Sequence, residues 1–331
     1  MSFSYSVAIR TLGTAGEKYV KLMKSIEKLT IQPEKIVVVL PVGYNPPEYK
    51  IGKEEYVFSS KGMIIQRLKA LDHIISDFIL FCDDDVELEA EFIEKLAKPL
   101  INGKYVCSTG PLLDLFPPNT FKYKVASLLG GACVMLHGKR NNFVRILRTG
   151  GWSYNYGIEI EKDKIYRTES LPWACFLIRT DVMKAIQFEN EMWCEKYGYA
   201  SFEDRVMFYK MLKNGYESCV VSNARYLHND AKTSNVQTNL TQIFCGAFNH
   251  YVFWHRYLYS LSRNPVEKFW MRICICYYIN INKLYRKLLS IKQKDKKIYI
   301  EMKRGFAEAK KFVRSEEYRK LPSVFNKVKS S

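Results

Sequence analysis

The sequence predicts an α/β fold, a doubly wound, mainly parallel sheet flanked by helices and followed by a helical C-terminal region. Three observations carry that prediction. Short runs rich in Val, Ile and Phe alternate with helical periods, the order that builds a parallel sheet with right-handed crossovers. The runs are apolar at odd and even positions alike, as strands must be when helices cover both faces. One of them, FILFC (78–82), ends on Asp83, Asp84 and Asp85, and in an open α/β sheet the ligand crevice lies beyond the carboxyl ends of the strands.

SYSVAIR (4–10) and KIVVVL (35–40) are the first two predicted strands. Between them, EKYVKLMKSIEKL (17–29) sets Val20, Met23, Ile26 and Leu29 at three-residue steps on one helix face, with Thr14 or Gly16 as the cap. KGMIIQRLKALDHII (61–75) predicts a helix, FILFC a strand, ELEAEFIEKLAKPL (87–100) a helix with acids in its first turn, and KYVCST (104–109) a strand. From Gly110 to Ser170, Pro and Gly punctuate segments that predict loops with one helix near 121–136. ACFLIR (174–179) predicts a strand and a short helix follows from Asp181; SFEDRVMFYKMLKNG (201–215) predicts a helix closed by Gly215, and ESCVVS (217–222) a strand. Beyond about residue 240 only helical signals remain, which divides the chain into a sheet domain over 1–240 and a basic, aromatic-rich helical region over 241–331.

At 331 residues, 47% apolar and 14% aromatic, the chain can bury a substantial core. No window approaches the roughly 20 apolar residues of a membrane span, and MSFSYSVAIRTLG lacks the basic-then-apolar order of a signal peptide, so a cytoplasmic location is expected. Nine cysteines without a CxxC pair predict neither a disulfide framework nor a zinc site, but small buried residues in a reducing compartment. The net charge of +17 is uneven: residues 263–331 hold 19 Lys and Arg against 6 Asp and Glu, a net +13. Such a tail attracts the phosphates of nucleic acid and of anionic lipid alike.

Three adjacent carboxylates with no basic residue among them repel strongly in a medium less polar than water unless protons or a cation intervene. A helix cap accounts for one of them, not three. A hard divalent cation, Mg²⁺ or Mn²⁺, held by one or two carboxylates and completed by substrate phosphates, relieves the repulsion and brings a ligand with it. Two later stretches carry competing readings: in SFED (201–204), Ser201 and Asp204 suit a capping-box-like helix start, and in YLHND (226–230), His228 suits a structural histidine after a strand.

Taken in order, these stretches resemble the family 2 glycosyltransferases of the GT-A, Rossmann-like fold, over roughly residues 4–235. SVAIRT resembles the family's opening strand, KGMIIQRLKAL its helix with Gly and Arg, FILFCDDDVE its DxD-bearing strand, FED its acceptor-side acidic motif, and LHNDAKTS its late His–Ser/Thr segment. Each motif alone is weak; five in the correct order are specific. The resemblance implies a metal-dependent, inverting enzyme that moves a sugar from a nucleotide diphosphate to an acceptor hydroxyl, in bacterial surface polysaccharide synthesis. It implies Asp85 as a direct ligand of Mn²⁺ or Mg²⁺, Asp83 at the ribose or at the metal through water, and His228 as a further ligand. Arg10, Thr11, Gly62, Arg67, Asp83 and Asp84 would surround the nucleotide sugar, and Trp173 or Trp193 would stack on a sugar face, with core packing the competing reading. The chemistry asks for a carboxylate opposite the departing diphosphate; Asp204, with Glu203 as the alternative, fills that place. The chain departs from the family at VVVLPVG, where Pro41, Val42 and Gly43 stand in place of the usual acid that reads base or ribose.

A sugar nucleotidyltransferase would use the same sheet and cation, and RTLGTAGEK, with Gly13, Gly16 and Lys18, offers it a Gly-rich, basic first loop. A basic nucleic-acid-binding protein would use the tail but leaves the triple Asp unexplained, so no nucleic-acid partner is expected. Within the tail, EKFWMRICICYYININKLYRKLLSIKQKDKK (267–297) joins an aromatic stretch to a basic cluster. That suits a membrane interface, with Trp270, Tyr277 and Tyr278 at headgroup depth and Lys283, Arg286, Lys287 and Lys292 toward anionic lipid. The expectation is an enzyme peripheral on the inner face of the plasma membrane, acting on a glycan or lipid-linked glycan; packing of the same stretch on the sheet domain is the competing one.

Overall fold

A computed structural model describes residues 3–112, 120–121, 142–155, 163–229, 236–293 and 296–325. The helix expected near 121–136 lies outside them but for its first residue, as do residues 230–234 of LHNDAKTS. Among the described residues, eight strands form one sheet in the order β3 (Glu54–Ser59), β2 (Ile36–Pro41), β1 (Tyr5–Arg10), β4 (Phe78–Asp83), β10 (Cys175–Arg179), β6 (Cys107–Thr109), β11 (Ser218–Val221) and β9 (Ile165–Thr168). The first four are mutually parallel; β10 runs antiparallel to both β4 and β6, and β9 antiparallel to β11. The sheet is therefore mixed and mainly parallel, as the sequence predicts.

The strands are apolar throughout because both faces are covered. Val7, Ile9, Val38, Leu40 and Leu80 pack with α1 (Glu17–Glu27) and α3 (Phe92–Ile101), while Ala8, Val37, Val39, Ile79 and Phe81 pack with α2 (Met63–Ala70) and α5 (Glu203–Lys213). A short α4 (Thr180–Ala185) follows β10. The chain leaves β1 toward β2 and β3 on one side and returns to β4 on the other. The ends of β1 and β4, carrying Arg10, Thr11 and the three aspartates, thus flank a topological switch point.

The sequence places a helix over 87–100, but the structure divides that stretch. Val86–Leu88 form β5, which pairs antiparallel with β12 (Tyr226–His228), and α3 starts only at Phe92. Val86 and Leu88 are buried with Glu87 half-exposed between them, a period of two that is hidden by the acids that follow. This small ladder sets His228 opposite Val86, one residue from Asp85. The edge strand β3 and the short β7 (Val144–Ile146), β8 (Trp152–Tyr154) and β9 also escape the sequence reading. In β7, β8 and β9 three or four residues are too few to show a period, and in the six-residue β3 only Val57 is buried.

The C-terminal helices, α6 (Val236–Phe253) with its π-helical extension Trp254–Tyr259, α7 (Pro265–Gln293), α8 (Lys297–Phe312) and α9 (Glu316–Arg319), close one face of the sheet. Phe248, Phe253, Tyr257, Met271 and Phe306 share one core with Phe81 and Phe176 of the sheet. A buried ionic lock reinforces the junction. Glu191 accepts from Arg256 Nε and Nη2 at 2.9 Å each and from Trp193 Nε1 at 2.6 Å, and Lys210 Nζ stands 3.2 Å away. Trp193 is therefore a core residue bound to Glu191, not a sugar platform. The described cysteines are all free thiols, buried except for Cys276.

Candidate active site

Arg67 organises the crevice. It reaches its position because α2 begins beside Glu195, whose carboxylate accepts from the backbone N–H of Ile64 at 2.9 Å and of Ile65 at 3.4 Å. A Cβ on Gly62 would lie 2.7 Å from a Glu195 oxygen, so Gly62 makes room for this cap. One turn along, Gln66 Nε2 donates to the carbonyls of Thr11 at 3.1 Å and Val39 at 3.0 Å, tying together the ends of β1 and β2. Neither Glu195 nor Gln66 stood out in the sequence, since nothing local marks a polar side chain that satisfies backbone groups far along the chain.

The buried Arg67 guanidinium lies 4.5 Å from the Trp173 ring centre and donates to three oxygens: Glu203 Oε1 at 2.8 Å, Asp83 Oδ1 at 2.9 Å and the Trp173 carbonyl at 3.3 Å. Arg10 Nη2 donates to the same Asp83 oxygen at 3.3 Å. Burial pulls the Asp83 carboxyl up, but Arg67 and Arg10 overcome it and hold Asp83 below the usual carboxylate range. Burial likewise opposes the charge on Arg10, and Asp83, Glu203 and Asp84 outweigh it. In Glu203 burial prevails over Arg67 and the carboxyl is raised. Asp84 accepts from Thr11 Oγ1 at 2.5 Å and is also raised, by burial and then by its neighbour Asp83.

Trp173, expected as an open stacking surface, is 5% exposed. Its ring lies edge-on or tilted against Phe81, Phe176, Phe188 and Phe208 and serves Arg67 from below. The aromatic character is real, but its partner is the guanidinium.

Asp85 differs from the other two aspartates. It is 7% exposed, and its buried Oδ1 makes no hydrogen bond, standing 3.3 Å from His228 Nε2. The Asn229 N–H binds the Asp85 carbonyl at 2.8 Å, extending the β5–β12 ladder and fixing the spacing of the two side chains. Among the described residues no three His, Cys, Asp or Glu converge as a complete metal site. Asp83 and Asp84 are engaged by Arg10, Arg67 and Thr11, which among the three aspartates leaves Asp85, with His228 beside it, to meet a cation, and phosphate oxygens would have to complete its shell. A buried carboxylate oxygen without a donor beside an imidazole fits that demand.

Asp204 and Glu203 open α5. The capping-box reading fails here: the residue before the helix is Phe202 in a left-handed conformation (φ 65°), no side chain caps the helix, and Ser201 Oγ donates to the Gln242 carbonyl at 3.3 Å. Asp204 Oδ1 accepts from the next backbone N–H, that of Arg205, at 2.6 Å. Burial, and then the charge of Glu203, push the Asp204 carboxyl up to about 7. Asp204 also lines a cavity of about 100 Å³ with Phe143, Trp152, Tyr154, Ser170 and Leu171. All but Leu171 come from the stretch between Gly110 and Ser170 in which the sequence signals are weakest.

Residues 52–183 match the profile of Glycosyl transferase family 2, a span that begins just before β3 and ends inside α4. No curated protein matches the sequence. Among solved structures, the chain is similar to the crystal structure of GalNAc-T7 with UDP, GalNAc and Mn²⁺, at 12% identity and a TM-score of 0.50, covering 88% of this chain and 58% of that one. The chain thus spans less than two thirds of that protein, and at this identity the likeness speaks for the fold. The match to the Glycosyl transferase family 2 profile is thus confined to residues 52–183, and the sheet that holds them has the GT-A architecture.

Proposed function

We propose that the protein transfers a glycosyl group from a nucleoside diphosphate sugar to an acceptor hydroxyl, with inversion at the anomeric carbon and with a divalent cation, Mn²⁺ or Mg²⁺, at Asp85 and His228. The observation that carries this reading is the buried Asp85 oxygen that lacks a donor beside His228, at the switch point of the sheet. That the similar GalNAc-T7 structure contains UDP and Mn²⁺ supports the reading. The cation, when bound, neutralises charge developing on the departing diphosphate. Arg10 and Arg67 keep Asp83 ionised and fixed, and Thr11 orients Asp84, so the nucleotide meets a preorganised wall. Asp204 accepts the acceptor hydroxyl proton as that oxygen bonds to the anomeric carbon. The bond from that carbon to the diphosphate oxygen breaks, and the nucleoside diphosphate leaves with the electron pair.

Asp204 suits the base better than Glu203, whose carboxylate is held by Arg67 at 2.8 Å. The aromatic residues Trp152 and Tyr154 in the neighbouring cavity suit a sugar as the acceptor. The test is a thermal-shift panel of UDP-, GDP-, dTDP- and CMP-sugars with and without Mn²⁺. A donor at 100 times its Kd stabilises by about 2.7 kcal/mol, and one nucleotide is expected to respond only when the cation is present. Asp85→Asn keeps the shape and removes the charge, so the variant should melt as the parent does alone and lose that response. A variant that binds donor and Mn²⁺ like the parent would overturn the cation assignment.

A further inference from the structure

Helix α7 is the longest in the described chain and is only half used by the core. Met271, Cys274, Ile275 and Ile279 face inward, and Tyr278, expected at headgroup depth, instead stacks on the buried His250 with ring centres 4.2 Å apart and planes 4° apart. The opposite side exposes Val266, Phe269, Trp270, Ile273, Leu284, Tyr285, Leu288 and Ile291. They fall in two groups, Val266 to Ile273 and Leu284 to Ile291, separated on that face by half-buried Tyr277 and Ile281 and by exposed Asn280, and at 1.5 Å per residue the first and last lie about 38 Å apart. Phe269 is 64% exposed and Ile291 is also 64% exposed, so both groups stand clear of the core and are not its rim.

Basic residues border these groups. Arg272 and Lys287 are exposed along one edge of the stripe, and half-buried Lys283 lies beside them. Lys303 and Lys310 of α8 stand close enough to Lys283 that, after burial, their charges further lower its pKa. Such mutual repulsion is relieved by an anion. No described helix is long and apolar enough to cross a bilayer, so a surface of this kind can lie on a membrane but not span it.

We propose that α7 docks on an anionic lipid surface, with its exposed apolar stripe in the headgroup region and the lysines and arginine along its edge against lipid phosphates. Charge selects this occupant. A second copy of the chain would bring a second tail of +13 against the first. Nucleic acid would use the basic edge but leave the apolar groups in water. An anionic bilayer satisfies both parts of the surface.

The experiment is co-sedimentation of the full chain with phosphatidylcholine vesicles and with vesicles containing about one third phosphatidylglycerol, at low and high salt. The parent should partition at least about tenfold more strongly onto the anionic vesicles, with the preference shrinking at high salt. Two double variants probe the two halves of the surface. Phe269→Ser with Leu288→Ser should lower partition onto both vesicle types, and Lys283→Glu with Lys287→Glu should abolish the anionic preference, with the parent melting temperature retained in each. Asp85→Asn should pellet like the parent, so failure of the sugar-transfer reading leaves this result untouched. Equal partition onto both vesicle types would overturn the proposal. So would concentration-dependent dimerisation or salt-sensitive retention on DNA without lipid binding, the first pointing to a second copy and the second to nucleic acid.

Discussion

Replacing Arg67 by Met is expected to lower the unfolding free energy by about 3–5 kcal/mol at pH 8, the scale for removing one partner of a buried ion pair. The substitution keeps much of the apolar contact with Trp173 but leaves Glu203 without a cation and Asp83 with Arg10 alone, at 3.3 Å. The pH dependence separates charge from packing. In the parent, the two guanidinium groups hold the Asp83 pKa below its ordinary value, so its contribution is present above the unfolded carboxylate range and is lost as pH falls through the folded value. In the variant, both carboxyls should titrate higher, so folding itself takes up protons as the solution is acidified. The deficit should therefore be largest at pH 8 and narrow toward pH 5, as measured by urea unfolding at both values. A deficit that is equal at the two pH values would mean that Arg67 acts by packing against Trp173 and not as the shared cation of Asp83 and Glu203. Arg67→Lys should fall between, since one ammonium cannot reproduce the fork that meets both carboxylates and the Trp173 carbonyl.

The parts legible in the sequence share one physical property: each is written in neighbouring residues. The parallel strands appear as short apolar runs, and the three aspartates appear because like charges stand together. What binds distant segments was not legible. Arg67 was expected near the nucleotide, yet its pairing with Glu203 joins positions 136 residues apart and leaves no local trace. The ladder that brings His228 to Asp85 rests on two strands of three residues, and acids next to one of them imitate the first turn of a helix. Trp173 and Trp193 left sugar stacking and core packing both open, because composition does not tell a ring that meets a sugar from one that supports an arginine or binds a buried glutamate. Tyr278 fails for the same reason: a helix that is apolar on more than one face does not declare which face the core will take. The exposed stripe on α7 emerges only once the residues facing His250 and the sheet are subtracted.

Asp204→Asn is expected to lower the rate of sugar transfer by about 10²-fold or more, the scale of a lost general base, while leaving cation-dependent donor binding intact. Asparagine can still accept from the Arg205 N–H, so the start of α5 is preserved. Stability should move the opposite way. The Asp204 carboxyl is raised to about 7 by burial and by Glu203, so the folded state binds its proton more tightly than the unfolded chain does. Below the unfolded carboxylate range both states are protonated and Asp204 is neutral to stability. As pH rises toward about 7 its charge opposes folding progressively, and above that the penalty is complete. The Asn variant escapes this penalty, and its melting temperature should exceed the parent's above neutrality and converge with it in acid. The same raised pKa should govern catalysis: kcat/KM of the parent rises with pH through about 7 as the base ionises, and that limb is absent in the residual activity of the variant. Unchanged turnover with a reduced melting temperature would instead make Asp204 a structural element of the helix start. Glu203→Gln is the control, since it removes a charge that raises Asp204 and should move that limb to lower pH without abolishing it. A carboxylate that weakens the fold where it is ionised, and is ionised where the reaction runs, is what a base retained for chemistry should look like.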